Sequence, residues 1–512
     1  MKNISTYKSH DLIEMRVIRQ ARKICVCNFI KATLLITILG LLSLFSKLNA
    51  QITIEGAEYA NQGNLTNETK DLIERLLLYA EQQQRLAIEA VKDANDARQT
   101  AETNEREKNK LMYLSTAQHM AIKSLQINDP SLQGLMAKQA YLFNVQYEGN
   151  PLDRYIYEGL YYALKTFSGD SLYRLNGHRG VVRDLAINSE GNKLFSAGTD
   201  GKIMDWDLAD PNNSSRLILS SEINRGKVIK ITSDDRWVII GTDASSIICF
   251  DLQNMNKEPL IINEHNGGII DIAICPDNQH FVSLGSDKTL RINDLASGQG
   301  HLMRVLNEFY VKMVLSPDGK YLALAAENGK LAILTSKNFF QEYIILPAGG
   351  PINRSLAFNP AGDKLAAGNI HGMITMIDLS TGLLAPEIFH LKGHVAERYI
   401  NDITFNVDGT MLASGGFDGT ILLWDMNNID NLPVILRDNS AKVWSLVFSK
   451  DNEHLYAGCE DGSIKMWPMK AEYMADQLNG KLKRELTSEE WQRYVGMEPA
   501  ISLSNSFSLA KP

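Results

Sequence analysis

Cysteine is scarce in this chain, with five in 512 residues. Cys25 and Cys27 lie near the N-terminus, and Cys249, Cys275 and Cys459 sit singly in apolar, strand-like runs. That spacing excludes a disulfide framework and a zinc site, and the three later cysteines read as small core residues. Three catalytic or metal signatures are also missing: His-Glu-x-x-His, a calcium-loop spacing, and a phosphate loop of the Gly-x-x-x-x-Gly-Lys-Ser/Thr kind. No cofactor or metal is therefore expected. Net positive charge is lacking too. Residues 1–50 hold eight Lys/Arg and two Asp/Glu, which leaves 44 basic and 58 acidic residues in the remainder. A body this acidic repels phosphate backbones and argues against nucleic acid as a partner.

Only one long uncharged apolar run is present, Ala32 to Phe45, behind Lys2, Lys8, Arg16, Arg19, Arg22, Lys23 and Lys31. Leu48-Asn49-Ala50 follows it. A basic n-region, a short apolar core and a small residue at the end are features of a signal peptide cleaved after Ala50, with Met15 an alternative start. The competing reading is an uncleaved anchor over about residues 27–49. Both place the rest of the chain on the periplasmic side, because the positive flank stays inside.

Residues 51–110 form the next segment, and Pro and Gly are absent from 65–110. Leu76, Ala80, Gln83, Ala87, Ala90, Ala94, Ala97 and Ala101 alternate spacings of four and three, a heptad seam with mostly alanine knobs. The seam predicts a helical stalk of roughly 60–70 Å at 1.5 Å per residue. Self-association through it, packing on a neighbouring helix, and a single solvated helix all remain open. A small helical region is expected over 111–170. There Asp129-Pro130 opens one helix, with Leu132, Leu135, Met136, Ala140 and Phe143 on one face. A further helix presents Ile156, Leu160, Ala163, Leu164 and Phe167.

Beyond residue 170 short β-rich runs repeat. Gly198–Leu208 reads GTDGKIMDWDL and Gly416–Met426 reads GFDGTILLWDM, with weaker copies between and after them. The closing column is Asp207, Asp251, Asp294, Thr335, Asp378, Asp425 and Pro468, at intervals of 44, 43, 41, 43, 47 and 43. A period of 40–45 ending in Trp-Asp marks propeller blades. Over residues 171–468 the sequence resembles the WD-repeat family, which implies a mainly β fold, a seven-bladed β-propeller behind an α-helical, coiled-coil-like region. Outer strands follow six repeats, at Arg216, Pro259, His301, Glu342, Pro386 and Pro433. None follows the seventh, and a spare strand from Ser171 precedes the first. The resemblance implies that this spare strand closes the ring, which leaves no free edge between the first and last blades. Residues 469–512 form a tail in which Thr487 and Glu490 make a capping box, with Trp491 and Tyr494 expected to dock on the propeller.

His178, Ser196 and Asp200, like His394, Ser414 and Asp418, have the residue types of a hydrolase triad. With Trp206 and Trp424 they match the structural His–Ser–Asp–Trp chain of WD blades, which the resemblance assigns to rigidity and not to catalysis. The protein is therefore expected to be no enzyme. It reads as a scaffold that binds proteins or peptides of the cell envelope through its propeller loops, touching the membrane only through its N-terminal segment. Arg183, Tyr310, Arg354, Arg398, Tyr399 and Trp444 are the candidate partner-binding residues, because Arg and large aromatics near the start of the inner strands are the usual hot-spot types. The alternatives are an envelope hydrolase or lyase with a channel-mouth site, and a sensor relaying through the helices.

Overall fold

The computed structural model describes residues 67–169, 174–209, 215–221, 225–336, 343–346, 352–383, 386–395, 398–437 and 441–496. The export or anchor segment lies outside them. Among the described residues no helix is long and apolar enough to cross a membrane. The chain divides into two compact units, Met1–Leu111 and Met112–Pro512.

Helix α1 spans Asn67–Ser124 and has residues in both units. In the first unit no residue from Glu81 to Lys110 is buried, and Ala90, Ala94, Ala97 and Ala101 of the heptad seam are exposed. Leu76 and Ala80 of the seam carry side chains outside the described set. Such a helix depends on intrinsic propensity, which Ala, Glu, Gln and Arg supply, and on i,i+4 pairs. Asp71–Arg75 at 2.8 Å and Arg98–Glu102 at 2.9 Å are two of these pairs.

In the second unit Ala117, Met120 and Ala121 of α1 pack with α2 (Pro130–Gln146) and α3 (Arg154–Ser168). Asp129 caps α2 by accepting from the Leu132 amide at 2.9 Å, and Asp153 caps α3. The apolar faces of these helices enter one core with residues of blades six and seven. The Tyr157 hydroxyl donates to the Pro468 carbonyl at 2.8 Å, tying α3 to the last blade. In the tail, α4 (Ala471–Lys481) joins the same core. Thr487 and Glu490 complete the capping box of α5 (Ser488–Tyr494). Trp491 meets Phe143 of α2 edge-on at 6.1 Å, so it docks on the helical layer.

The propeller consists of seven four-stranded antiparallel sheets, with strands β1–β28 numbered in chain order. The inner strands are β2 (Val182–Ile187), β6 (Gly226–Ile231), β10 (Ile269–Ile274), β14 (Tyr310–Leu315), β18 (Asn353–Phe358), β22 (Ile400–Phe405) and β26 (Val443–Phe448). Six outer strands fall where the sequence places them: β5 (Ser215–Ser220), β9 (Leu260–Ile262), β13 (Gly300–Val305), β17 (Tyr343–Leu346), β21 (Glu387–Lys392) and β25 (Val434–Leu436). The seventh blade takes its outer strand from the N-terminal side. Strand β1 (Arg174–Asn176) pairs with β28 (Ser463–Pro468), Leu175 opposite Ile464. Apolar residues alternate through each blade, and successive cores lie between neighbouring blades. Hydrophobic burial thus holds each sheet to the next.

Candidate functional site

The same irregularity recurs in all seven inner strands. The ladder shifts register between the first and third residues: Val182/Asp184, Gly226/Val228, Ile269/Asp271, Tyr310/Lys312, Asn353/Ser355, Ile400/Asp402 and Val443/Ser445. A bulge leaves its extra residue out of the ladder and re-aims its side chain. The extra residues are Arg183, Lys227, Ile270, Val311, Arg354, Asn401 and Trp444, and all seven line one cavity of about 410 Å³ at the channel mouth.

Two further columns surround this ring. In each blade the residue before the inner strand accepts, through its carbonyl, from the amide that opens the inner hairpin: Thr199 to Val181, Asp243 to Arg225, Ser286 to Gly268, Glu327 to Phe309, Ile370 to Ile352, Phe417 to Tyr399 and Glu460 to Lys442. Side by side, the three columns divide the face. Blades four to seven present Phe309, Val311, Ile352, Ile370, Tyr399, Phe417 and Trp444, all half-buried. Blades one and two present Arg183, Arg225, Lys227 and Asp243.

The apolar arc has a centre. Phe417 lies 5.2 Å from the Tyr399 ring and 5.4 Å from that of Trp444. Arg354 stacks over Tyr399 at 5.3 Å, and the Lys442 ammonium lies 5.0 Å over Phe417. The Trp444 indole N–H is buried with no acceptor among the described residues. Across the mouth Arg183 pairs with Asp243 at 3.2 Å. Burial lowers the pKa of the Lys227 ammonium, and Asp243 only partly offsets it.

Below the ring, carboxylates staple blade to blade. Asp184 accepts from the Ile229 amide at 2.9 Å and from Lys230 at 2.7 Å. Asp271 accepts from the Met313 amide at 3.0 Å, and Asp402 from Leu446 at 2.8 Å. Burial pushes the Asp402 carboxyl up to about 6, with Lys312 opposing and Asp184 reinforcing. Burial also disfavours the Lys312 ammonium, but Asp271, Asp402 and Asp184 outweigh it and raise its pKa. These groups are engaged with one another and with backbone amides, and they fix the floor of the mouth.

Among the sequence-derived candidates, Arg183, Arg354 and Trp444 are bulge residues, and Tyr399 stands beside them. Arg398 is exposed in the turn before β22 and belongs to none of the three columns. Tyr310 requires a correction. It is 8% exposed and packed in the core between blades, because it is the paired first residue of β14 and the bulge hands the mouth position to Val311. Sequence reasoning missed Phe417 and Lys442. Phe417 occupies the variable position of the hairpin motif (Gly-Phe-Asp-Gly where blade one has Gly-Thr-Asp-Gly), and that substitution is the signal that could have found it.

The hydrolase-like residues form closed chains. His178 Nδ1 meets Asp200 at 2.9 Å, its Nε2 meets Ser196 Oγ at 2.7 Å, and Trp206 Nε1 donates to Ser196 Oγ at 2.9 Å. The donors run consistently when Nδ1 carries the proton, so that Ser196 donates to Nε2 while accepting from the indole. His394, Asp418, Ser414 and Trp424 repeat the arrangement at 3.2, 2.8 and 3.1 Å. A third copy was not foreseen. His265 bonds Asp287 at 3.1 Å and Ser283 at 2.8 Å, with Asn293 donating to Ser283 at 2.9 Å in place of the tryptophan. Its His–Ser separation of 18, equal to that of the first blade, was the available signal. Ser196, Ser283 and Ser414 are each 0% exposed, so none can reach a substrate as a nucleophile.

Blade seven keeps Trp467 at 1% exposure, but its indole N–H has no acceptor among the described residues, because Ala457 stands where blades one, three and six have serine. Ala457→Ser is expected to raise stability by about 1 kcal/mol by supplying that acceptor. Urea denaturation checks this, and a lower midpoint would mean that the site has no room for the hydroxyl.

The family model for the WD domain, G-beta repeat, matches residues 169–207, 257–294, 386–425 and 432–468. These are the segments of blades one, three, six and seven, the blades that keep the hydrogen-bonded chain or the buried tryptophan. The chain is 26% identical over 262 residues to the serine-threonine kinase receptor-associated protein of Gallus gallus, covering 50% of this chain and 70% of that protein. A protein of the same name from Dictyostelium discoideum is 28% identical over 259 residues, covering 50% and 84%. Actin-interacting protein 1 of Caenorhabditis elegans is 22% identical over 312 residues, covering 57% and 47%. The chain carries WD40 repeats in a seven-bladed β-propeller.

Proposed function

We propose that this protein is a non-catalytic interaction scaffold that binds a partner protein or peptide across the channel mouth. The observation that carries this reading is the ring of seven bulged residues flanked by the Tyr399–Phe417–Trp444 cluster. Rings and guanidinium groups that stand half-buried before any partner arrives are the material of binding hot spots. The rigid blades beneath hold them without an ordering cost at the moment of binding. The relatives are, by name, a receptor-associated and an actin-interacting protein, which fits a propeller that works by binding.

The envelope setting rests on the N-terminal sequence alone, and the eukaryotic relatives named above lend it no support. In this reading the basic, apolar N-terminus exports or anchors the chain, and an envelope protein is the partner. Self-association through residues 65–110 belongs to the same reading, and the absence of buried residues from Glu81 to Lys110 is compatible with it. The test is capture of a partner from extract by the immobilised chain. Capture should be lost with Trp444→Ala and kept with a substitution at Lys320 on the opposite face. Equal capture by both variants would refute the mouth as the binding face.

A further inference from the structure

We infer that the mouth selects a peptide segment in which an acidic side chain lies next to a bulky apolar one, with Arg354 as the residue that reads the acid. This rests on the mouth being the binding face. Three observations on that face point to the same occupant.

The first is charge. The three columns around the mouth hold five cationic residues, Arg183, Arg225, Lys227, Arg354 and Lys442, against the three anionic residues Asp243, Glu327 and Glu460. The chain as a whole has a formal net charge of −8. The rim is thus net basic by two, while the floor carboxylates Asp184, Asp271 and Asp402 are taken up by Lys312 and by backbone amides, so an acidic guest finds its charge partner at the rim.

The second is pairing. Arg183 is held by Asp243 at 3.2 Å and Lys442 by Glu460 at 2.7 Å. Arg354 is exposed and stacked on Tyr399, and it has no carboxylate in ion-pair reach among the described residues. A guanidinium fixed on a ring face presents its N–H edge ready for a carboxylate.

The third is the aromatic cluster. Three rings around a mouth invite comparison with cages that bind methylated ammonium groups. Here Arg354 and Lys442 already lie over two of the rings, at 5.3 and 5.0 Å. A further cation would meet like charge, so the rings are left to an apolar side chain.

The test uses the 512-residue chain and a library of N-acetylated, C-amidated heptapeptides with leucine fixed at the centre and all other positions degenerate. Bound peptides are sequenced as a pool. Asp or Glu should be enriched beside the leucine. Arg354→Glu should reverse that preference towards Lys or Arg, and it should weaken a selected acidic peptide by about tenfold or more. Enrichment of basic residues or of no charge by the unaltered chain, with capture still lost in Trp444→Ala, would overturn the inference and leave the mouth standing as the binding face. Acidic enrichment unchanged by Arg354→Glu would overturn the role of that arginine. No enrichment at all, or enrichment indifferent to Trp444→Ala, would overturn both readings.

Discussion

With Trp444 replaced by alanine, affinity for the captured partner is expected to fall by about 30-fold or more, the loss of at least ~2 kcal/mol that truncating a hot-spot tryptophan brings. The expectation follows from position. Trp444 is the bulged residue of β26, it is half-buried before binding, and its ring lies tilted against that of Phe417 at 5.4 Å. A partner that covers it removes the remaining apolar surface from water. If Trp444 served only to pack one blade on the next, the variant would melt earlier and bind in proportion to its folded fraction. Thermal melting by circular dichroism beside the binding isotherm separates the two. The expected pattern is a small change in Tm with a large change in Kd, and Phe417→Ala should repeat it.

The second large effect concerns stability. Ser414→Ala should destabilise the protein by on the order of 3 kcal/mol, because it leaves both His394 Nε2 and the Trp424 N–H without partners in a site where the serine is 0% exposed. Ser196→Ala should act alike in blade one. The same chains make stability fall as pH falls, in two stages. Burial lowers the pKa of His178 and His265 below the ordinary 6.5, outweighing the opposing pull of Asp200 and Asp287. The unfolded chain therefore takes up these protons first. Their contribution is complete above pH 6.5 and is lost as pH drops below that value through the folded pKa. Burial favours protonating Asp200 and Asp287, yet backbone amides and the two histidines hold both carboxyls below the ordinary 3.8. In Asp418 the His394 bond and Thr420 do the same. These contributions are complete above pH 3.8 and are lost below it. Asp402, raised to about 6, acts in the opposite sense as pH falls, so the urea midpoints to follow are those of Asp402→Asn, which should decline monotonically between pH 8 and pH 3 through both windows. A midpoint that rises between pH 7 and pH 5 would contradict the neutral, buried histidines.

The sequence exposed the repeating unit more readily than the site. Blade number followed from the period, and the closing strand followed from the missing outer strand after Trp467. Both are counting arguments that survive divergence. The two complete hydrogen-bonded chains were readable because His, Ser, Asp and Trp all persist in blades one and six. The chain in blade three was hidden by Asn293, which keeps the donor and discards the shape. The mouth was legible in part, through Arg183, Arg354, Tyr399 and Trp444. A bulge leaves no mark in the residue types, since one extra residue in an apolar run looks like ordinary strand. Choosing large aromatics near the start of the inner strands therefore nominated Tyr310, when the bulge gives the mouth position to Val311. Phe417 escaped because the hairpin position it fills is defined by a backbone bond to Tyr399 and not by any residue preference.

The mouth as binding face is tested most directly by a lysine-reactive cross-link map of the chain with its captured partner. Lys288, Lys330 and Lys442 border the mouth, while Lys193, Lys320 and Lys364 stand at the turns that close the opposite face. Partner cross-links concentrated on the first three, and suppressed by Trp444→Ala, are the predicted result. Cross-links confined to Lys193, Lys320 and Lys364, unchanged in that variant, would contradict it.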